Sequence, residues 1–292
     1  MKSILIYYFS GTGNTKEISR LLVEELESEG CTVKLYTMED QLKSQKEINL
    51  EVYDLIGLAY PIYGFGTPGI VSRIVEGFPE GGGKNLFIYK TGADFISINH
   101  NASTELIEVL EKRGYNVFYD RIIAMASNWL VAYDDRLVKQ LYNSAIGKVK
   151  HMSREILNLK RRRYKTGHFL KKLSMGISHL EKTYGSSYFV KSLRTNQKCN
   201  HCEICVKRCP NQNILFVNEN PVFGDNCLWC MRCVYTCPQK AIFSKGMNFS
   251  ILKNGYDLKR IVENEDIGSD YITEETGGYF KHFYNYLSDE SL

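Results

Sequence analysis

Ser3-Ile4-Leu5-Ile6-Tyr7-Tyr8-Phe9-Ser10-Gly11-Thr12-Gly13-Asn14-Thr15 is the stretch that decides the fold. Residues 3–9 are an apolar and aromatic run of strand length, which fits a strand buried on both faces, as in a parallel sheet. A glycine-rich hydroxyl loop follows at Ser10, Gly11, Thr12, Gly13, Asn14 and Thr15. Ile18, Leu21, Leu22 and Leu26 then recur at helical spacing up to Gly30. Strand, glycine loop and helix in that order make a phosphate cradle. Glycine lets the backbone approach an anion, and the helix N-terminus offers free N–H groups.

The loop has neither the Gly-Lys-Ser/Thr ending of a nucleoside-triphosphate loop nor the third glycine of a dinucleotide fingerprint. It resembles the FMN phosphate loop of flavodoxins, where neutral donors hold the phosphate. Outward from it, strands are expected at 32–36, 53–60, 85–90 and 115–124, with helices at about 67–77, 103–113 and 135–160. That alternation predicts an α/β, flavodoxin-like doubly wound sheet of five parallel strands. In such a sheet the ligand lies beyond the carboxyl ends of the strands. The loops Pro61-Ile62-Tyr63-Gly64-Phe65 and Thr91-Gly92-Ala93-Asp94 then join residues 10–15 as the expected flavin contacts. Tyr63 is the candidate stacking residue, with Tyr60 and Phe65 as rivals. The first of these loops is closer to flavodoxin-like quinone reductases than to ordinary flavodoxins.

A second signal lies far along the chain. Cys199, Cys202, Cys205 and Cys209 precede Pro210, and Cys227, Cys230, Cys233 and Cys237 precede Pro238. Both read C-x2-C-x2-C-x3-C-P, offset by 28 residues at every cysteine. Thiolates are soft ligands suited to iron–sulfur clusters. The runs resemble those of bacterial ferredoxins with two 4Fe–4S clusters. The resemblance implies that the fourth cysteine of each run crosses to the other cluster. One cluster would use Cys199, Cys202, Cys205 and Cys237, and the other Cys227, Cys230, Cys233 and Cys209. The short apolar pieces 214–217 and 241–243 after the two runs read as small strands of a duplicated α+β domain. The ninth cysteine, Cys31, reads as a structural thiol.

As a whole the chain resembles bacterial flavodoxin–ferredoxin fusion proteins. The expected organisation is a flavodoxin-like FMN domain at 1–160, a basic connecting segment at 161–194, a ferredoxin domain at 195–246 and an acidic, aromatic extension at 247–292. The implied role is electron transfer between FMN and two 4Fe–4S clusters, to or from redox partner enzymes, in the cytoplasm of an anaerobe. The alternative is an FMN-dependent reductase of a small organic substrate fed by the clusters. Tyr63, Asp94, His100 and Asn128 would then be its nearest polar groups, although no general acid or base declares itself.

Charge is unevenly spread. Residues 1–147 carry 14 Lys and Arg against 19 Asp and Glu, whereas 148–172 carry 10 against 1. The basic block reads as a solvated face or as a docking surface for an acidic redox partner, since opposite charge speeds encounter. No nucleic-acid module accompanies it. No apolar stretch approaches the length of a membrane span. A homodimer stays open.

Overall fold

The computed structural model describes residues 1–164 and 167–291. Lys165 and Thr166 of the basic segment, and Leu292 of the C-terminal extension, lie outside the described residues.

The N-terminal half alternates β1 (Ser3–Tyr8), α1 (Asn14–Ser28), β2 (Thr32–Thr37), α2 (Met38–Ser44), β3 (Leu55–Pro61), α3 (Gly69–Glu76), β4 (Asn85–Gly92), α4 (Thr104–Lys112), β5 (Asn116–Ala124) and α5 (Asp135–Leu157). The five strands form one sheet in the order β2-β1-β3-β4-β5, and every pairing is parallel. This is the flavodoxin-like doubly wound order. Side chains alternate between the faces of a strand, and β1 shows why it has to be apolar throughout. Ile4 and Ile6 pack with Ile18, Leu22 and Leu26 of α1 on one face. Leu5 and Tyr7 pack with Ile70, Val71 and Ile74 of α3 on the other. Each such side chain contributes about 1.5–3 kcal/mol on burial.

The connecting segment is not an open linker. It folds as α6 (His168–Leu180), a π-helical turn (Glu181–Gly185) and α7 (Ser186–Ser192). Much of its positive charge is met within the chain. Lys160 and Arg162 reach the buried carboxylate of Glu155, Arg163 reaches Glu111, and Lys171 bonds Glu108 at 2.6 Å. Lys148 is buried, its ammonium 4.0 Å from the centre of the Tyr286 ring.

The last part contains β6 (Leu193–Thr195), α8 (Ile204–Lys207), β7 (Ile214–Val217), β8 (Asn220–Phe223), α9 (Arg232–Tyr235), β9 (Ile242–Ser244), α10 (Leu258–Glu263) and α11 (Phe283–Ser288). β6 pairs antiparallel with β9, closing the small domain on itself, and β7 pairs with β8. The extension beyond it returns to the large domain. Leu258, Ile261, Ile272, Phe283 and Tyr286 are buried in one core with α5 and β5. Phe283 and Tyr286 are therefore core, while Phe249, Tyr279 and Tyr284 stay exposed. Among the described residues no helix is long and apolar enough to cross a membrane.

Candidate functional site

The loop at residues 10–15 closes over the N-terminus of α1. Gly13 sits at φ 113° as the residue before the helix, a conformation that favours glycine. Its N–H donates to the Ser10 hydroxyl at 3.1 Å. No side chain caps α1, so its first N–H groups stay available to an anion. Polar side chains brace the loop from three directions. Thr15 meets Thr91 hydroxyl to hydroxyl at 2.7 Å, Asn14 donates to the carbonyl of Ala126 at 2.9 Å, and Asn128 donates to the Thr12 hydroxyl at 2.7 Å.

Beyond this loop opens a cavity of about 290 Å³. One wall is Pro61, Ile62, Tyr63, Gly64 and Phe65, and a second is Thr91, Gly92 and Ala93. The loop after β5 supplies Ser127, Asn128 and Trp129. Gly64 and Phe65 both have positive φ, 49° and 60°. Tyr63 and Gly66 close the turn with paired backbone bonds of 3.2 and 2.8 Å. Two successive left-handed residues make a tight type I′ reversal, strained at Phe65.

The cavity has a roof that nothing in the sequence announced. Ile177 of α6, Glu181 of the π-helical turn and Trp229 lie across it. Glycines let the roof come down. A Cβ on Gly66 would stand 1.9 Å from the Ser178 hydroxyl, and one on Gly64 would stand 2.8 Å from the Glu181 carboxylate. Burial pushes the Glu181 carboxyl up to about 7. The Tyr63 hydroxyl and the Trp229 indole N–H are buried without a hydrogen-bond partner, and burial holds the Tyr63 phenol well above its ordinary range. A phosphate cradle of neutral donors, a flat slot with aromatic sides and two orphaned polar groups on its walls fit a flavin mononucleotide.

Two expected contacts fall elsewhere. Asp94 does not line the cavity. Its carboxylate accepts the backbone N–H of Phe95 at 2.7 Å, the Tyr279 hydroxyl at 3.1 Å and a contact from the His282 ring at 3.0 Å. The C-terminal extension thus claims the group that sequence alone set at the ring edge. Gly13 shapes the loop from its outer side. His100 stacks on Tyr164 with ring centres 3.9 Å apart, away from the cavity. Trp129, Ile177, Glu181 and Trp229 were missed. Only Trp229 carried a usable signal: a large aromatic between two cysteines of a ligand run.

The eight cysteines gather around two small cavities. Cys199, Cys202, Cys205 and Cys237 line one, and Cys209, Cys227, Cys230 and Cys233 line the other. Each cavity thus takes three cysteines from one run and the fourth from the other. Backbone N–H groups point at sulfur: Asn213 to Cys209 at 3.2 Å, Ala241 to Cys237 at 3.3 Å, and Trp229 to Cys227 at 3.3 Å. The backbone repeats as the sequence does. Positive φ recurs at His201 and Trp229, at Glu203 and Met231, and at Gln212 and Lys240. Among the described residues no group of three or more His, Cys, Asp or Glu closes around a single metal ion. Four thiols around a shared hollow suit a multi-iron cluster.

The second run is docked on the phosphate loop. A Cβ on Gly11 would meet the carbonyl oxygen of Cys230 at 2.6 Å and the Tyr63 hydroxyl at 2.3 Å. Arg232 donates to the carbonyls of Ser10 at 2.6 Å and Gly11 at 3.2 Å, and pairs with Glu39 at 2.6 Å. Trp229 packs edge-on to Trp129 with ring centres 5.2 Å apart and stacks on Phe189 at the same separation.

The fold and these two sites describe a flavodoxin-like α/β domain joined to a 4Fe–4S domain, the makings of an electron-transfer flavo-iron–sulfur protein. Residues 191–238 match the family model described as a 4Fe-4S dicluster domain. No curated protein matches the sequence. Among solved structures, oxidised flavodoxin 1 from Bacillus cereus is 18% identical over 54% of this chain and 98% of its own, with a TM-score of 0.40. Flavodoxin 2 from the same organism is 22% identical over 53% and 98%, with a TM-score of 0.39. An apo NADH:FMN oxidoreductase is 18% identical over 52% and 90%, with a TM-score of 0.36. At such scores these likenesses add nothing to the strand order, on which the fold assignment rests.

Proposed function

We propose that the chain is an electron relay with FMN in the cavity above residues 10–15 and a 4Fe–4S cluster in each cysteine-lined hollow. The observation that carries this reading is the double position of the second run. Trp229 lies between two cysteines of one hollow and also lines the flavin cavity, while the Cys230 backbone touches the phosphate loop. FMN accepts and releases electrons singly or in pairs, whereas each cluster carries one.

The residues divide the work. The uncapped start of α1 and the hydroxyls of Ser10, Thr12 and Thr15 hold the phosphate. Tyr63, Trp129 and Trp229 wall the ring. Cys227, Cys230, Cys233 and Cys209 hold the inner cluster beside that wall. Cys199, Cys202, Cys205 and Cys237 hold the outer one. Cys202 is exposed, so electrons are exchanged with external redox proteins at the first run. Ile177, Glu181 and Trp229 take up part of the cavity's lining, which would leave a small organic substrate less room beside a flavin and weighs against the reductase reading.

The test is an anaerobic redox titration of the reconstituted protein, with flavin, iron and sulfide analysis. The expected result is one flavin and two clusters per chain that equilibrate with each other. Clusters that stay oxidised while the flavin cycles with its partners defeat the relay.

A further inference from the structure

Electrons that arrive through cysteine-bound iron bring no protons, and the walls of the flavin cavity give the new charge little to lean on. No Lys, Arg or His stands among the lining residues, and the phosphate loop offers only neutral donors. A reduced ring there is balanced most readily by taking up a proton. The lining has two titratable side chains, Tyr63 and Glu181. Tyr63 is held far too weakly acidic by burial to serve near neutrality.

Resting on the FMN reading above, we propose that Glu181 is the proton donor and acceptor of the flavin cavity. Its carboxylate presses on Gly64 at the turn beside the ring site, a place open to it because residue 64 has no Cβ. It stands on a π-helical turn, an irregularity that recurs at functional sites. Among the described residues no hydrogen bond or ion pair engages its carboxylate. The residue is half-buried and lines the cavity. Burial places its ionisation at about 7, where a group both gives and takes a proton readily. Three titratable or charged groups face it. Lys182 pulls its ionisation down. Across the packing lie the Tyr63 phenol and the Cys227 thiol.

The step balances simply. The O–H bond of the Glu181 carboxyl breaks as an N–H bond forms on the ring. The electron comes from the reduced inner cluster, which is oxidised by one. The Glu181 carboxylate then recovers a proton from solvent. On re-oxidation the proton and electron leave by the reverse route.

The experiment uses the full holoprotein and its Glu181→Gln and Glu181→Asp variants. FMN affinity of each is measured first, by quenching of tryptophan fluorescence. The flavin is then reduced by rapid mixing with a strong one-electron reductant, and the appearance of the protonated flavin is followed by absorbance from pH 5 to 9. Glu181→Gln is expected to bind FMN and to slow protonation about a hundredfold, the usual scale for a positioned acid. It should also lose the wild-type inflection near neutrality, and Glu181→Asp should restore part of the rate. A Glu181→Gln protein with wild-type rate and pH profile overturns the proposal while leaving the FMN reading intact. A wild-type chain that takes up no FMN overturns both. Should Glu181→Gln fail to fold, isotope-edited infrared spectroscopy of the wild type decides. A carboxyl that transiently loses its proton on flavin reduction supports the proposal, and one that is ionised throughout sinks it.

Discussion

The two cysteine runs share a backbone and face different worlds. Shifted by 28 residues, His201 becomes Trp229, Glu203 becomes Met231, Ile204 becomes Arg232 and Lys207 becomes Tyr235. The turns, the one-turn helices and the left-handed residues superpose in kind. The surroundings do not. Cys202 is exposed, whereas Cys230 is only 8% exposed, packed against the core of the large domain. Three of the four replacements in the second run add a contact toward the large domain. Trp229 meets the flavin cavity, Arg232 the phosphate loop, and Tyr235 donates to the carbonyl of Asn128 at 2.8 Å. The same backbone recurs around two cysteine-lined hollows, and the side chains turn one toward the large domain and leave the other at the surface.

Paired substitutions can break that contrast. The largest effect belongs to the cysteines. Cys230→Ser should abolish electron exchange between the flavin and the rest of the protein, read as loss of cluster-linked flavin reduction. Cys202→Ser should leave that exchange in place and stop only delivery to an external acceptor. Equal loss in both would make the two ends equivalent.

Arg232 comes next. Arg232→Met strips a partner from the buried Glu39 carboxylate and from two loop carbonyls, an expected cost of about 3–5 kcal/mol. Ile204→Met at the matching place should cost under about 1.5 kcal/mol. Urea unfolding of the holoprotein reads both. Gly11→Ala drives a methyl group into the Cys230 carbonyl and the Tyr63 hydroxyl, and an overpacking cost of about 1–3 kcal/mol is expected. It should also weaken FMN binding while leaving both iron contents unchanged. The smallest effect is Tyr235→Phe, which removes one donor to Asn128 and one acceptor for Leu252 N–H, worth about 1 kcal/mol. Lys207→Ala, its exposed counterpart, should change the unfolding free energy by less than about 0.5 kcal/mol.

The legible parts of this chain are those with local rules. Strands buried on both faces have to be apolar, so β1, β3, β4 and β5 stood out, and the resemblance to two-cluster ferredoxins put together the same cysteines that line each small cavity. The phosphate loop was readable because glycine and hydroxyl residues between strand and helix have few other uses. The roof was not readable. Ile177 and Glu181 reach the cavity only because α6 crosses it, and a helix carries no sign of what it will cover. Asp94 misled for a similar reason: an acid after β4 looks like a ring neighbour until Tyr279 and His282 return from about 185 residues downstream to bind it. The shift by 28 did hold a clue that could have been used. Replacement of His, Ile and Lys by Trp, Arg and Tyr marks one copy as the one that is covered.

The roofed cavity also sets an order of events during synthesis. Its floor and walls come from residues 10–129, and its cover from residues 177–229. A chain made from its N-terminus at about 5–20 residues per second has the floor and walls for several seconds before the cover exists. On the relay reading a flavin would meet its widest entrance in that interval, before either cysteine run has been made. A full-length chain deprived of flavin would have to lift Ile177, Glu181 and Trp229 to acquire it.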